Sequence, residues 1–247
     1  MRAMVLAAGF GKRLQPITLQ RPKPLVEVAG RSLLERTLDQ LARSNIEEAI
    51  VNVHYLGDQI IEFARTCDHS VNITISDERD TVLETAGGIV KALPLLGNEP
   101  FISVNADTFW VEKSSAQPTI SAMGAAFDAD EMDLLLLVCS PSQAIGHSGG
   151  LDFVLAEDGR IARAGDTKEG YIYAGVAVIN PRIFDRALAT PHSLNRYFDS
   201  AIASGRLYGV RLEDAYWYTV STPESLKAVE AHLRAHGDMA PLLRHES

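Results

Sequence analysis

Short apolar runs alternate with helical patterns over the first part of the chain. Continuous apolar runs and period-2 alternation predict four strands, at residues 3–8, 49–53, 72–76 and 101–105, of which the first is apolar on both faces as a buried parallel strand is. Between these runs apolar positions recur at helical spacing, near residues 33–41, 56–64 and 87–93. This alternation predicts a mostly parallel sheet with helices on both faces, whose ligands bind at the carboxyl ends of the strands.

Two of the predicted helices carry clear start signals. Ser32 precedes the first helical stripe and Glu35 follows three residues later, which is the pattern of a capping box. Near the end of the chain, Thr222 and Pro223 suit the N-cap and the first position of a last helix. We therefore expect helices to begin at residues 33 and 223.

The pattern changes after the apolar run at residues 133–138. Strands are predicted at 133–138, 171–179, 207–212 and 217–220, with a hairpin around the turn at 156–159 and helices at 181–188 and 194–204. We predict one Rossmann-like, three-layer α/β/α domain over residues 1–240, with a mixed, mostly parallel sheet, and a tail at 241–247. The half up to about residue 110 is expected to bind a nucleotide, and the remainder to complete the sheet and a second ligand pocket.

Composition narrows the classes of function. The 247 residues carry a formal net charge of -9, which argues against a non-specific nucleic-acid binder because such proteins need a basic surface. No apolar run approaches the roughly 18 residues of a membrane span, and no signal-peptide pattern precedes the first strand. We expect a cytoplasmic protein with no membrane partner. Cys67 and Cys139 lack metal or redox spacing and are expected to be reduced thiols.

The loop after the first strand is rich in glycine and positive charge. Gly9 and Gly11 allow backbone N–H groups to approach phosphate oxygens, and Lys12 and Arg13 can neutralise their charge. The loop matches neither the Walker A pattern nor the dinucleotide fingerprint. By itself it is equally typical of an ordinary tight turn with solvated cations.

A second cation follows among prolines. Lys23 lies between Pro22 and Pro24, and we predict a stiff, extended segment that aims its ammonium. A rigidly placed lysine beside a glycine-rich loop can stabilise charge on a phosphoryl group. The alternative is a proline-bounded surface lysine.

These motifs together resemble those of a known family. The segments LAAGFGKRLQPIT and RPKPL match every fixed position of the signature of the sugar nucleotidyltransferases, and LETAGGIVKALPLLG, VNAD and VSTPES extend the resemblance over nearly the whole chain. The segment ETAGGI is similar to the E-T-G-G-G-I of a subgroup that transfers uridylyl groups to N-acetylmuramate 1-phosphate in cell-wall sugar recycling. The resemblance implies the nucleotide-diphospho-sugar transferase fold.

The resemblance also implies roles for residues near the nucleotide. The backbone at Ala8, Gly9 and Gly11 would cradle the triphosphate. Arg13 would contact the departing pyrophosphate, and Lys23 the α-phosphate. Three further residues fall where the family reads the base and ribose: Glu84, Gly87 and Gly88. For these three, a glycine-rich helix start is the simpler alternative.

Further roles are implied at the metal and the sugar. Asn105 and Asp107 end the fourth parallel strand, where a carboxylate suits Mg²⁺ together with substrate phosphates. The alternative for Asp107 is a turn cap. Gly175 matches a glycine against which the sugar packs, and Asp152 is expected either to contact sugar hydroxyls or to be an exposed hairpin residue.

The chain departs from the family pattern near its end. Relatives carry a second magnesium-binding aspartate where this chain has Thr219, and a glycine where it has Ser221. A hydroxyl is a poorer ligand for Mg²⁺ than a carboxylate. Either Asp107 serves with phosphates and water alone, which we favour, or Asp214 substitutes, or the protein is a weakened relative. Cys139 also replaces a polar sugar contact of the subgroup.

The implied reaction joins a sugar-1-phosphate to a nucleoside triphosphate and releases pyrophosphate, with Mg²⁺ as cofactor. N-acetylmuramate 1-phosphate and UTP are the expected substrates. A mannose-1-phosphate guanylyltransferase or a phosphocholine cytidylyltransferase is the alternative enzyme, and a catalytically silent nucleotide-binding subunit is the alternative from another class. The sequence predicts no oligomeric state.

Overall fold

A computed structural model describes residues 1–113 and 117–236. Along the chain the strands are β1 (Ala3–Leu6), β2 (Glu27–Val28), β3 (Arg31–Ser32), β4 (Glu48–Val53), β5 (Asn72–Asp77), β6 (Phe101–Asn105), β7 (Thr108–Glu112), β8 (Leu134–Cys139), β9 (Ala144–Ile145), β10 (Phe153–Leu155), β11 (Ile161–Arg163), β12 (Ile172–Ile179), β13 (Leu207–Arg211) and β14 (Ala215–Thr219). The α-helices are α1 (Leu33–Arg43), α2 (Gly57–Thr66), α3 (Glu84–Leu96), α4 (Thr119–Ala126), α5 (Asn195–Ala203) and α6 (Pro223–His236).

The main sheet has seven strands in the order β13-β8-β12-β6-β1-β4-β5. β1 runs parallel to both β4 and β6, with Val5 opposite Val51 on one side and Val104 on the other. β4 pairs parallel with β5, and β8 with β13, whereas β12 runs antiparallel to β6 and β8. The prediction of a mixed, mostly parallel sheet is therefore confirmed, and its four N-terminal strands are the four predicted from apolar runs and alternation.

Helices cover both faces of this sheet and bury its apolar side chains. On one face the core includes Leu34 and Leu38 of α1, Ile60 of α2 and Met123 of α4. On the other it includes residues of α3 and α5. A separate cluster joins the small sheet β7-β14-β9 to α6. These layers confirm the predicted α/β/α arrangement.

Both predicted helix starts are confirmed. The Glu35 N–H donates to Ser32 Oγ at 3.1 Å and the Ser32 N–H donates to the Glu35 carboxylate at 2.7 Å. α6 begins at Pro223, and the Ser225 N–H donates to Thr222 Oγ1 at 3.2 Å. Each cap satisfies N–H groups that the first helical turn leaves without partners.

Other local predictions were wrong. Lys23 lies in a 3₁₀ turn, Lys23–Leu25, and not in an extended segment, because the φ that proline imposes on Pro24 also suits this turn. The predicted helix at 181–188 is a 3₁₀ turn, Pro181–Phe184, and Arg186 is left-handed at φ 59°. α3 starts three residues before the expected Gly87.

The structure adds elements that the pattern did not predict: the strand β7, the helix α4 and the two-residue strands β2, β3 and β9. The predicted tail at 241–247 lies outside the described residues. Within residues 1–113 and 117–236, no helix is both long and apolar enough to cross a membrane.

Candidate active site

One cavity of about 310 Å³ opens at the carboxyl ends of the central parallel strands. Six of the predicted site residues line it: Ala8, Gly9, Lys23, Glu84, Asn105 and Asp107. The glycine loop follows β1, Asn105 ends β6 and Asp107 lies in the turn after it, because parallel strands end at the same sheet edge. The predicted residues from distant parts of the chain thus meet in one place.

The glycine loop is held by close contact with the lysine segment. Gly11 has φ 61°, and a Cβ there would lie 2.9 Å from Thr18 Cγ2 and 3.1 Å from Lys23 Cβ. Thr18 Oγ1 also donates to the Gly11 carbonyl at 2.9 Å. Glycine is required for both the left-handed backbone and the contact. Gly9, by contrast, has open space on its Cα.

Lys23 and Asp107 form an ion pair inside the cavity. The Lys23 ammonium donates to Asp107 Oδ2 at 2.7 Å, and the side chains are 12% and 38% exposed. The Val220 N–H donates to the Asp107 carbonyl at 3.2 Å, which ties this position to the end of β14. A cation and a carboxylate are therefore preorganised where phosphate groups can enter.

Asn105 is positioned by a bulge in β12. The β12 register with β8 shifts between Tyr173 and Ala177, and Gly175 lies there at φ 79°. A Cβ on Gly175 would lie 2.9 Å from Thr108 Oγ1 and 3.1 Å from Asn105 Nδ2. Gly175 therefore supports Asn105 from behind and is not among the cavity-lining residues.

Several other predicted residues also lie outside the cavity lining. Arg13 is exposed in a 3₁₀ turn, Lys12–Leu14, and makes no hydrogen bond or ion pair with the described residues. A Cβ on Gly87 would lie 2.2 Å from the Thr190 carbonyl oxygen, and one on Gly88 would lie 2.7 Å from Glu78 Oε1. Both glycines thus let α3 pack closely against neighbouring protein.

Asp152 is half-buried beside Cys139. Its Oδ2 accepts a hydrogen bond of 2.8 Å from the Tyr173 N–H, so it anchors β12, and it is not among the cavity-lining residues. Two causes raise the pKa of Cys139 to about 12: burial, which is the larger, and the negative charge of Asp152. The Cys139 thiol is therefore neutral at physiological pH. Cys67 and Cys139 are both free cysteines in this structure, as expected of reduced thiols.

Thr219 stands where relatives carry a second magnesium-binding aspartate, and the structure shows its surroundings. Thr219 ends β14 opposite Thr108 on β7 and is 8% exposed. Ser221 follows, and its N–H donates to Ser225 Oγ at 2.9 Å. Asp214 lies before the other end of β14 and is 3.8 Å from Lys113 Nζ. Five residues of strand span about 17 Å, so Asp214 is too remote to assist Asp107.

The side chains at the cavity can bind Mg²⁺ only together with ligands from the substrate. Among residues 1–113 and 117–236, no three His, Cys, Asp or Glu side chains are grouped as a metal site. Asp107 offers one partly exposed carboxylate. Mg²⁺ is commonly bound by one or two carboxylates with substrate phosphates and water, so Asp107 fits as a ligand that depends on the triphosphate.

A buried polar network beneath the cavity was missed by the sequence analysis. Asn52, which ends in the cavity, accepts from the Ala7 N–H at 2.7 Å and donates to Glu78 Oε1 at 2.8 Å. Glu78 is 1% exposed, and burial raises its pKa, which the hydrogen bond from Asn52 partly offsets. The signal for this network in the sequence was Asn52, a polar residue within the otherwise apolar run AIVNV.

Thr85 and Ser193 also line the cavity and were not predicted. Ser193 lies in the connection before α5. Among the described residues that line the cavity, it is the only one that follows Asp107 in the sequence. No local sequence pattern identifies Ser193 as a cavity residue, because tertiary contacts between that connection and α3 bring it to the cavity.

A glycine loop, a lysine and a carboxylate around one cavity at the strand ends are typical of α/β enzymes that act on phosphate groups. The chain matches the family described as Nucleotidyl transferase over residues 2–140. The protein belongs to this family of nucleotidyltransferases, and the resemblance inferred from its motifs is confirmed.

Two relatives narrow the comparison. The chain is 39% identical to an N-acetylmuramate alpha-1-phosphate uridylyltransferase of Caulobacter vibrioides, over 94% of this chain and 96% of the relative. It is 37% identical to a protein of the same description from Neisseria meningitidis serogroup B, over 75% of this chain and 78% of that one.

The fold is shared with more distant solved structures. The inositol-1-phosphate CTP transferase from T. maritima aligns with a TM-score of 0.71 at 20% identity, covering 93% of this chain and 96% of that one. A likeness at this level of identity establishes the architecture alone.

Proposed function

We propose that this protein transfers a uridylyl group from UTP to N-acetylmuramate 1-phosphate, releasing pyrophosphate, in cell-wall sugar recycling. The observation that carries the proposal is the ion pair of Lys23 with Asp107 beside the glycine loop, within a single cavity. The similarity to uridylyltransferases over most of both chains supports the choice of base and sugar. Cytoplasmic location remains a prediction.

The chemistry requires alignment more than proton transfer. A phosphate oxygen of the sugar phosphate attacks the α-phosphorus of UTP, and the bond from that phosphorus to the bridging oxygen of the β-phosphate breaks. The nucleophile is already an anion at pH 7, so no general base is needed. Catalysis then depends on holding the two anions in line and on neutralising their charge.

The residues of the cavity suit these tasks. The backbone from Ala8 to Gly11 is proposed to cradle the triphosphate, and Lys23 to contact the α-phosphate. Arg13 is exposed at the loop, from where it is proposed to contact the departing pyrophosphate. Asn105 is proposed to contact the sugar phosphate, with Gly175 behind it, and Asp152, outside the cavity lining, to contact sugar hydroxyls.

Asp107 is proposed to hold Mg²⁺ together with phosphate oxygens. The bound ion would neutralise charge on the phosphates. Because Lys23 occupies Oδ2 of Asp107 in this structure, triphosphate binding must draw the ammonium toward phosphate before that oxygen can serve a metal. Asp107, and not Asp214, is the carboxylate that this role requires.

A second candidate function rests on Thr219. A nucleotide-binding relative without turnover would retain the glycine loop and Lys23 but lack the second carboxylate. Transfer to mannose 1-phosphate from GTP, or to phosphocholine from CTP, is the alternative within enzymes.

A substrate panel separates these functions. Purified protein is incubated with UTP, GTP or CTP and with N-acetylmuramate 1-phosphate, mannose 1-phosphate or phosphocholine, with and without Mg²⁺, and pyrophosphate release is followed. The proposal predicts Mg²⁺-dependent release that is fastest with UTP and N-acetylmuramate 1-phosphate. Faster release with another pair would reassign the substrates. Thermal stabilisation by UTP without release from any pair would favour the silent relative.

A further inference from the structure

The peptide unit that leads into the glycine loop is held on both sides. The Ala7 N–H donates to Asn52 Oδ1 at 2.7 Å, and the Leu6 carbonyl, in the same peptide unit, accepts from the Ala106 N–H at 3.2 Å. Because both polar groups of this unit are bound, the orientation of its plane is fixed. Ala106 directly precedes Asp107, so the unit also joins the glycine loop to the segment that carries the cavity carboxylate.

The two residues that follow this peptide unit have N–H groups without a protein partner. Within residues 1–113 and 117–236, the N–H groups of Ala8 and Gly9 donate to no protein acceptor, and both residues line the cavity. The direction of these N–H groups depends on the backbone that precedes them. The bond from Ala7 to Asn52 therefore governs how the loop presents its donors to a phosphate.

The two partners of the Asn52 amide decide its orientation. The Ala7 N–H can only donate, so the amide oxygen must face it, and the amide nitrogen is left to face Glu78. Asn52 Nδ2 donates to Glu78 Oε1 at 2.8 Å. Asn52 is 2% exposed and Glu78 is 1% exposed, and an unpaired polar atom at this depth is costly. Rotation of the amide would break both hydrogen bonds at once.

The backbone of Glu78 is fixed by β4. Its N–H donates to the Val53 carbonyl at 2.8 Å, and its carbonyl accepts from His54 Nδ1 at 2.7 Å. A Cβ on Gly88 would lie 2.7 Å from Glu78 Oε1 and 2.8 Å from Asn52 Nδ2, so glycine lets α3 close over this bond. Glu78 is not among the cavity-lining residues, so it can act on a ligand only through its neighbours.

We infer that Asn52 is a positioning residue for the glycine loop and that Glu78 holds Asn52 in place. The inference rests on the proposed function, because it takes the loop to bind the phosphates of UTP. Asn52 acts through the peptide unit between Leu6 and Ala7, and Glu78 acts through Asn52. The hydrogen bonds run in one direction, from Ala7 to Asn52 to Glu78, so substitutions can remove, retain or reverse each of them.

Binding of UTP with Mg²⁺, measured by calorimetry, tests both hydrogen bonds. Asn52→Leu and Glu78→Met should each weaken UTP binding about tenfold, the scale of one or two hydrogen bonds. Glu78→Gln retains an acceptor for the Asn52 amide and should bind UTP as wild type does. Ser76→Ala is the control variant, because Ser76 is buried and pairs with Asn52 across β4 and β5 but does not line the cavity. This variant should also bind UTP as wild type does.

A reversed pair distinguishes positioning from direct contact with the ligand. Asn52→Asp alone brings two carboxyl groups to hydrogen-bond distance and should weaken UTP binding about tenfold or more. Adding Glu78→Gln supplies a donor to the new carboxylate, which still accepts from the Ala7 N–H. The double variant should therefore bind UTP within about threefold of wild type. An aspartate offers no N–H group, so a direct amide contact with phosphate would leave the double variant as weak as Asn52→Asp.

The Michaelis constants supply a readout that a general loss of stability would not give. Asn52→Leu should raise KM for UTP and leave KM for N-acetylmuramate 1-phosphate within about twofold. Melting temperatures establish which variants are folded, and the reversed pair decides where Glu78→Met is not.

Unchanged affinity for UTP in Asn52→Leu or in folded Glu78→Met would overturn the inference and leave the proposed function standing. A double variant that binds no more tightly than Asn52→Asp would do the same. The expected pattern of UTP binding without pyrophosphate release would overturn the proposed function alone. Absence of binding by every triphosphate would overturn both.

Discussion

Two lysine–aspartate pairs lie at opposite ends of the hairpin-like ribbon of β7 and β14. At one end Lys23 Nζ is 2.7 Å from Asp107, and the side chains are 12% and 38% exposed. At the other end Lys113 Nζ is 3.8 Å from Asp214, and the side chains are 43% and 61% exposed. The residue types are the same, and the ribbon separates the pairs by about 17 Å.

The difference shows that surroundings, and not residue types, make a site. Lys23 packs against the Gly11 loop and faces the cavity at the strand ends. The second pair is more exposed, with Lys113 Nζ over the Tyr216 ring and Asp214 at a different surface pocket. Exposed ion pairs contribute little because water screens them, while preorganised charges in a cavity stabilise charge on a ligand strongly. The second pair therefore provides a matched control for the first.

The largest expected effect is the loss of the cavity carboxylate. Asp107→Asn should lower kcat about 10³-fold, since it removes the charge proposed to hold Mg²⁺ at the phosphates. Asp214→Asn should change kcat less than about twofold because its charge is exposed and remote. Steady-state pyrophosphate release measures both, and equal effects of the two substitutions would remove the distinction between the pairs.

Loss of the cavity ammonium is expected to rank second. Lys23→Ala should lower kcat on the order of 10²-fold, the scale of one preorganised electrostatic contact, and Lys113→Ala should leave it nearly unchanged. Unchanged turnover in Lys23→Ala would reject the assignment of Lys23 to the α-phosphate. Melting temperatures would establish that both variants are folded.

Thr219→Asp places a second carboxylate at the cavity end of the ribbon. Thr219 lies opposite Thr108, the neighbour of Asp107, and one additional charge about 4 Å from a cation contributes about 1 kcal/mol even in water. The concentration of Mg²⁺ that gives half-maximal activity should fall about fivefold. Thr222→Asp, just before the start of α6, is the control variant. No change in Mg²⁺ dependence at residue 219 would show that the metal is bound elsewhere.

The smallest expected effect is that of replacing Glu78. This acid is more buried than any side chain of the two lysine–aspartate pairs. Because burial raises its pKa, the folded state keeps the proton to higher pH than the unfolded chain. This contribution to the free energy of unfolding is present below the ordinary carboxyl pKa of about 4.3 and is lost as pH rises through the raised value.

Glu78→Gln removes that titration but retains an oxygen acceptor for Asn52. Urea unfolding at pH 5 and pH 8 should show that the variant gains stability relative to wild type at the higher pH. Glu99→Gln, at an exposed acid, should show no such gain. A relative loss of stability at pH 8 would show that the ionised carboxylate is stabilised by its surroundings.

Sequence patterns predicted most of the parallel half and several of the residues that meet at its strand ends. The capping box at Ser32 and the apolar runs are local signals, so the elements they specify could be read directly. Lys23, Asp107 and the glycine loop were identified because their motif occurs in contiguous residues. Parallel strands then bring those contiguous motifs to one sheet edge.

The remainder depends on tertiary contacts that leave no local pattern. Ser193 reaches the cavity only because the connection before α5 pairs with the start of α3. The 3₁₀ turn at Lys23 was missed because the φ of proline suits both an extended chain and this turn. Gly87 and Gly88 resemble ligand-binding glycines in sequence, yet their close neighbours are Thr190 and Glu78.

The most direct test of the central claim is to quantify pyrophosphate and UDP-N-acetylmuramate in one reaction of wild-type protein with UTP, N-acetylmuramate 1-phosphate and Mg²⁺. We expect many turnovers per protein molecule, equal amounts of the two products, and about 10³-fold slower formation of both in Asp107→Asn but not in Asp214→Asn. Binding of UTP with no pyrophosphate above the level of Asp107→Asn would contradict this expectation.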